Sequence, residues 1–216
     1  ALRGYYILTV KKQADGFVSP WIHEHWKVGT QVETSGPEGD FFYEPLRDKP
    51  TVIGLAGGCG ITPFRSMARA IAEGTEDFRL VLLYGSRREC DIVFNEELET
   101  LAVRSGGKVS LVSVLSDEPG RGTESGFITR AMIEKYAGDI SGVSFFLCGP
   151  QAMYDFIDRE LAPLALKPKV FRRELYGELK NIARHPGYPA KAADGVFTLT
   201  VNSLGETRKV KAAAGE

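Results

Sequence analysis

Hydrophobic and polar positions follow two different periods along this chain, and the change falls near residue 50. Gly4 to Lys11 and Thr30 to Ser35 alternate apolar and polar in the way half-buried antiparallel strands do, each followed by a turn, at 14–16 and at 36–39. Between them Ser19 stands ready to cap a short helix that has Pro20 at its first position and runs to Trp26. Arg47-Asp48-Lys49-Pro50 then reads as a charged hinge and a domain boundary. Beyond it, strands read at 51–56, 79–84, 108–115, 143–148 and 169–173 alternate with helical repeats at 63–74, 94–104, 129–136 and 151–161. Strands alternating with helices imply a parallel sheet joined by right-handed crossovers, with ligands at the carboxyl ends of its strands. Residues 177–195 lose all periodicity and read as a linker, and 196–202 with 207–211 predict a final hairpin.

The first strand-helix junction carries the most chemistry. Gly57, Gly58 and Gly60 remove side chains that would keep backbone amides from a bulky anion, Thr62 is a good N-cap, and Pro63 suits the first helical turn. Phe64, Met67, Ala68 and Ile71 repeat at helical spacing, and Gly74 stops the helix. A helix aiming the positive end of its dipole at a glycine turn is a seat for a pyrophosphate. Ser19-Pro20 repeats the Thr62-Pro63 arrangement and suggests a second anion seat.

Composition narrows the partners. A net charge of −1 over 216 residues argues against nucleic acid, and no apolar run approaches the ~20 residues of a membrane span. Cys59, Cys90 and Cys148 are odd in number, dispersed and without a CxxC, which fits a reducing compartment, so a cytoplasmic protein is expected. His23 and His25 stand two apart, too few and too divergent on a helix to ligate a metal, and no metal ligands are assigned.

With these motifs assembled, the chain resembles the ferredoxin-NADP reductase superfamily, in particular oxygenase reductases that carry a plant-type ferredoxin domain after the nucleotide domain. Gly16-Phe17-Val18-Ser19 matches the segment over the flavin phosphate, and Gly57-Gly58-Cys59-Gly60-Ile61-Thr62-Pro63 the nucleotide turn. Tyr84-Gly85-Ser86-Arg87, with Arg88 and Phe94 beyond it, matches the adenosine segment. Cys148-Gly149-Pro150 with Met153 matches the motif near the nicotinamide, and Glu174-Leu175-Tyr176 the late segment near the flavin ring.

The resemblance implies an α/β, ferredoxin-reductase-like fold. Residues 1–48 would be part of an antiparallel β-barrel flavin domain, and 49–177 a five-stranded parallel Rossmann-like NAD(P) domain. Residues 178–195 would be a linker, and 196–216 the first hairpin of a β-grasp ferredoxin domain. It implies FAD (or FMN) and NAD(P)H as cofactors, and a ferredoxin-type acceptor or an oxygenase component as partner. Two departures matter: the flavin-binding RxYS motif does not precede Gly4, and no CxxxxCxxC loop follows Phe197. A fragment of a longer electron-transfer protein is therefore expected, with the [2Fe–2S] centre belonging to the parent.

The expected reaction is hydride transfer from nicotinamide to flavin and onward single-electron transfer, with Cys148, Glu174 and Tyr176 as the residues near the reacting rings. Cys148 reads either as a positioning residue or as a buried structural thiol. Glu174 either hydrogen-bonds near the rings or pairs with Arg172 or Arg173. Arg87 and Arg88 tilt the choice towards NADPH, although the same guanidinium groups also suit a pyrophosphate or an adenine ring. The alternative function is a nucleotide-binding subunit or regulatory module of a redox complex without turnover of its own.

Overall fold

Val52, Ile53, Leu55 and Ala56 are all fully buried because their strand, β1 (Thr51–Gly57), lies inside a sheet covered by helices on both faces. The computed structural model describes residues 6–14, 16–34, 38–175, 195–203 and 206–213. They fall into two units, Ala1–Tyr176 and Gly177–Glu216. The sheet of the first unit adds β2 (Arg79–Ser86), β3 (Val109–Leu115), β4 (Glu124–Ser125), β5 (Ser144–Gly149) and β6 (Phe171–Leu175). Its order is β4-β3-β2-β1-β5-β6, and every neighbouring pair is parallel. The sixth strand, β4, was not expected; two residues are too short for a periodicity to reveal.

Side-chain alternation sorts this sheet into two cores. On one face Val52, Leu80, Leu82 and Tyr84 pack with Ile61, Phe64, Met67, Ala68 and Ile71 of α2 (Ile61–Ala72) and with Leu98 and Leu101 of α3 (Asn95–Arg104). On the other, Ile53, Leu55, Val81 and Leu83 meet Ile133 of α4 (Arg130–Ala137), and Tyr154, Ile157 and Leu161 of α5 (Gln151–Leu161). Each large apolar side chain so buried contributes about 1.5–3 kcal/mol. Thr129 caps α4 as expected, accepting from the Met132 amide. Gly74 takes a left-handed φ of 73° just past α2.

Topology decides where a ligand sits. The chain builds outward from β1 through β2 and β3 to β4, then returns to lay β5 against the other side of β1. Between the carboxyl ends of β1 and β5 the strand order reverses, leaving a crevice that no crossover covers.

Residues 6–50 differ from expectation. Neither 6–11 nor 30–34 forms a strand, because a strand exists by its ladder and these stretches pair with no other strand among the described residues. The helix forms as α1 (Val18–His25), but Phe17 is its N-cap. Ser19 lies within its first turn and accepts instead from the Gln13 amide at 3.0 Å. The stretch 47–50, read as a hinge, is anchored. Phe41 packs on Phe64 and Phe146, Tyr43 stacks on Phe78, and the Lys49 amide donates to Ser144 Oγ. In the second unit, β7 (Val196–Ser203) and β8 (Glu206–Ala213) form the expected antiparallel hairpin, slightly longer than the pattern indicated.

Candidate functional site

The glycine turn is a tight 3-10 turn, Gly58–Gly60, running straight into α2. Gly58 adopts φ 53°, a left-handed conformation that glycine takes without strain. Because Gly60 already has helical angles, α2 starts two residues earlier than expected and Gly60, not Thr62, is its N-cap. The Thr62 hydroxyl donates back to the Cys59 carbonyl, and Pro63 sits in the first turn, where a missing N–H costs no intrahelical bond. Ile61 is buried beneath the turn, and α2 still points the positive end of its dipole at it.

Gly60 has a second task. A Cβ there would lie 2.0 Å from the Cys148 carbonyl oxygen and 2.9 Å from the Gly149 amide nitrogen. The turn therefore packs backbone against backbone with the end of β5, so Gly60 serves folding besides the anion approach expected of it. At Gly57 and Gly149 an added Cβ would strike Met153 Sδ, at 2.6 and 2.7 Å, so Met153 fills the space those two glycines leave. Pro150 is the N-cap of α5 and accepts from the Met153 amide at 2.9 Å. The two glycine motifs, some 90 residues apart in the chain, thus close on each other at the switch point.

Cys148 and Glu174 are register partners at the carboxyl ends of β5 and β6. Burial, with a contribution from the Glu174 carboxylate, pushes the Cys148 thiol up to about 12. It is a neutral thiol at any ordinary pH, which excludes thiolate chemistry and leaves packing and positioning. The proposed ion pairs of Glu174 do not form: Arg172 binds Asp48, Arg173 binds Asp158, and the Glu174 side chain is exposed. Tyr154, not singled out in the sequence, reaches from α5 with its hydroxyl against both the Leu147 and Glu174 carbonyls, tying the two strand ends together. Tyr176 lies outside the described residues, so its placement near the rings rests on the resemblance alone.

On the other side of β1, the segment after β2 splits into different roles. Tyr84 is fully buried, and its hydroxyl donates to the Gly58 carbonyl at 3.0 Å while accepting from the Val93 amide at 3.1 Å. It braces the site from beneath, where the expectation had it facing a ligand. Gly85 has only ordinary contacts around it, whereas Arg87 and Arg88 are exposed with no ion pair among the described residues. Phe94 takes a left-handed φ of 63°, a strained conformation for a bulky side chain. The Arg65 guanidinium lies 4.5 Å over its ring and is gripped by both oxygens of Glu97, which Arg69 also binds. Burial alone would raise the Glu97 carboxyl, but the hydrogen bonds from Arg65 and Arg69 outweigh it and hold it low. Nothing in the sequence pairs Arg65 with Phe94; only packing of α2 on α3 does.

The residues matched to the flavin segment are less organised. Gly16 donates its amide to the Gln13 carbonyl, Val18 opens α1, and no residue of α1 is buried. His23 and His25 use ring nitrogens on the Val10 and Trp21 carbonyls, and His25 stacks on Trp21.

A dinucleotide fits what the strand ends offer. Ser86 Oγ, close to Tyr84 without a well-formed bond to it, and Gln151 Oε1 are buried at the ends of β2 and β5 with no hydrogen-bond partner among the described residues. Buried polar atoms are rarely left so, and a ligand rich in hydroxyl and amide groups would satisfy them.

Residues 55–159 match the oxidoreductase NAD-binding domain family. The reductase subunit of glycine betaine monooxygenase from Chromohalobacter salexigens is 31% identical over 175 residues, covering 79% of this chain and 47% of that protein. NADH-cytochrome b5 reductase 1 of Cryptococcus neoformans is 30% identical over 172 residues, covering 75% and 58%. Among solved structures, the cytochrome P450 reductase of Amycolatopsis superposes with a TM-score of 0.66 at 28% identity, covering 77% of this chain and 50% of that one. The chain spans about half the length of the curated relatives it matches. No helix among the described residues is long and apolar enough to cross a membrane. The reversed strand order, the two interlocked glycine motifs and these matches place the chain in the ferredoxin-NADP reductase superfamily.

Proposed function

We propose that the protein is an NAD(P)H-dependent flavin oxidoreductase that passes electrons from a nicotinamide dinucleotide, through FAD (or FMN), to an iron–sulfur ferredoxin-type carrier or an oxygenase component. The observation that carries this reading is the pairing of Cys148 with Glu174 beside the glycine turn, at the one crevice of the sheet where the strand order reverses. The names of the relatives support it, since they include a monooxygenase reductase subunit and cytochrome b5 and P450 reductases. The β7–β8 hairpin is consistent with a further carrier domain. In this reading residues 1–48 belong to the flavin part, 49–177 to the nucleotide part and 196–216 to the carrier part, with Gly16, Val18, Ser19 and Tyr176 on the flavin side.

A bound flavin would supply the two-electron to one-electron conversion, and the chain supplies geometry. The glycine turn and the α2 dipole hold the pyrophosphate, while Arg87, Arg88 and Phe94 receive the adenosine half. Ser86 and Gln151 offer polar atoms to ribose or carboxamide groups. The small neutral Cys148 side chain bounds the nicotinamide, and Glu174 stands beside it. Anaerobic addition of NADH or NADPH to the FAD-supplied protein tests the reading: the flavin band near 450 nm should bleach. Nucleotide binding without bleaching would instead identify a binding subunit without turnover.

Two outcomes follow from the site. Cys148→Ala, which keeps the strand but changes the wall of the crevice, is expected to slow flavin reduction about tenfold, or about 1.4 kcal/mol of barrier, with little change in nucleotide affinity. Stopped-flow reduction at the parental rate would return Cys148 to a packing role alone. Arg88→Ala is expected to weaken NADPH binding by about 1.5–3 kcal/mol, the range for a hydrogen bond to a charged group, while NADH binding barely changes. Calorimetry giving equal losses for both nucleotides would remove Arg88 from 2′-phosphate recognition.

A further inference from the structure

Tyr84 does something in this site that contact with a ligand would not explain. Its hydroxyl is engaged on both sides within the protein: the single proton goes to the Gly58 carbonyl and an oxygen lone pair takes the Val93 amide proton. Gly58 belongs to the turn after β1, and Val93 ends the loop after β2, immediately before the strained Phe94. The ring is fully buried against the α2–α3 face, and burial pushes the phenol above its ordinary range, so the hydroxyl keeps its proton. One rigid phenol thus fixes the spacing between two loops that belong to different strand-helix units. The Arg65–Glu97 pair clamps the second loop from the far side, through the Phe94 ring.

We propose that Tyr84 is a positioning residue that couples the two halves of the nucleotide site without touching the nucleotide. This rests on the dinucleotide reading given above. A dinucleotide joins a pyrophosphate, seated at the glycine turn, to an adenosine, seated at the loop of Arg87, Arg88 and Phe94. Linking two weakly bound halves strengthens binding only if the protein holds both subsites at the spacing the ligand spans. Without the hydroxyl, the Val93 amide would lose its acceptor and the Gly58 carbonyl would keep only the Ile61 amide, so nothing would hold the two loops together and they would shift apart to reach water. Each subsite would survive, but their register would not.

The test compares Tyr84→Phe with the parental protein by titration calorimetry against NADH and NADPH, and by NMR titration against AMP and nicotinamide mononucleotide. The expected result is a loss of tenfold or more in dinucleotide affinity, with AMP and the mononucleotide bound within about threefold of the parental affinity. Unchanged dinucleotide affinity overturns the proposal, and so does a parallel loss for dinucleotide and mononucleotides, which would mark a general loosening. Hydrogen exchange at the Val93 amide gives a second readout on the parental protein: its protection should increase with NADH bound and not with AMP bound, and equal protection by both also overturns it. A parental protein that binds no dinucleotide at all would instead overturn the nucleotide reading itself.

Discussion

Gly60→Val is expected to cost the nucleotide unit more than about 3 kcal/mol of stability and to abolish nucleotide binding with it. The reason is geometric. The new Cβ would stand 2.0 Å from the Cys148 carbonyl oxygen and 2.5 Å from its carbonyl carbon, and both are backbone atoms of a strand hydrogen-bonded on either side. A flexible side chain could swing away; a central strand cannot. Relief would require the glycine turn to lift off the end of β5, which separates the two motifs that form the crevice. At roughly 2–4 °C per kcal/mol for a protein of this size, the melting midpoint should fall by at least about 6 °C. Gly57→Ala is the milder control, since its Cβ would meet the flexible Met153 Sδ at 2.6 Å and Pro150 Cδ at 3.0 Å. A Gly60→Val protein that melts like the parent, losing only nucleotide affinity, would show that Gly60 serves the ligand alone.

Arg172→Met should destabilise the first unit by about 3–5 kcal/mol, because it strands a buried carboxylate. The Arg172 and Asp48 side chains are only 4% and 0% exposed, and two hydrogen bonds join them, at 3.1 and 2.6 Å. Arg172 also donates to the Asp40 carbonyl and lies over the rings of Phe42 and Phe146, while Asp48 accepts from the Glu44 amide. This one cluster fastens residues 40–48 to β5 and β6, the strands that present Cys148 and Glu174. The midpoint of thermal unfolding should drop by roughly 6–20 °C. Adding Asp48→Asn to Arg172→Met should recover part of the loss, since it removes the uncompensated charge. A single variant within 1 kcal/mol of the parent would mean that water reaches Asp48 and solvates it.

Both variants bear on function through the same elements. The crevice is made by two loops that touch through glycine, and its outer wall is a strand tied down by a buried ion pair. Neither Gly60 nor Arg172 needs to touch a reacting atom for its loss to disturb the spacing on which the proposed hydride transfer would depend.

The amino-acid sequence by itself determined what local chemistry can encode. Apolar runs marked β1, β2 and β5 as buried strands, and the spacing of Phe64, Met67, Ala68 and Ile71 marked the buried stripe of α2. The glycines were legible as points of close backbone approach because their residue type permits it, whereas Cys148-Gly149-Pro150 was marked by the family resemblance and the ligand role of Arg87-Arg88 is a proposal. Tertiary structure decided the rest. Alternation at 6–11 and 30–34 made no strands, since a ladder needs a neighbour that a one-dimensional pattern cannot supply. Thr62 and Ser19 had the chemistry of caps, but the turns before them entered the helices early and gave their hydroxyls other partners. Arg172 was one of the two cations weighed as a partner for Glu174. Asp48, 124 residues away, claimed it once the chain folded, because only there does a full set of hydrogen bonds offset the loss of water around two buried charges.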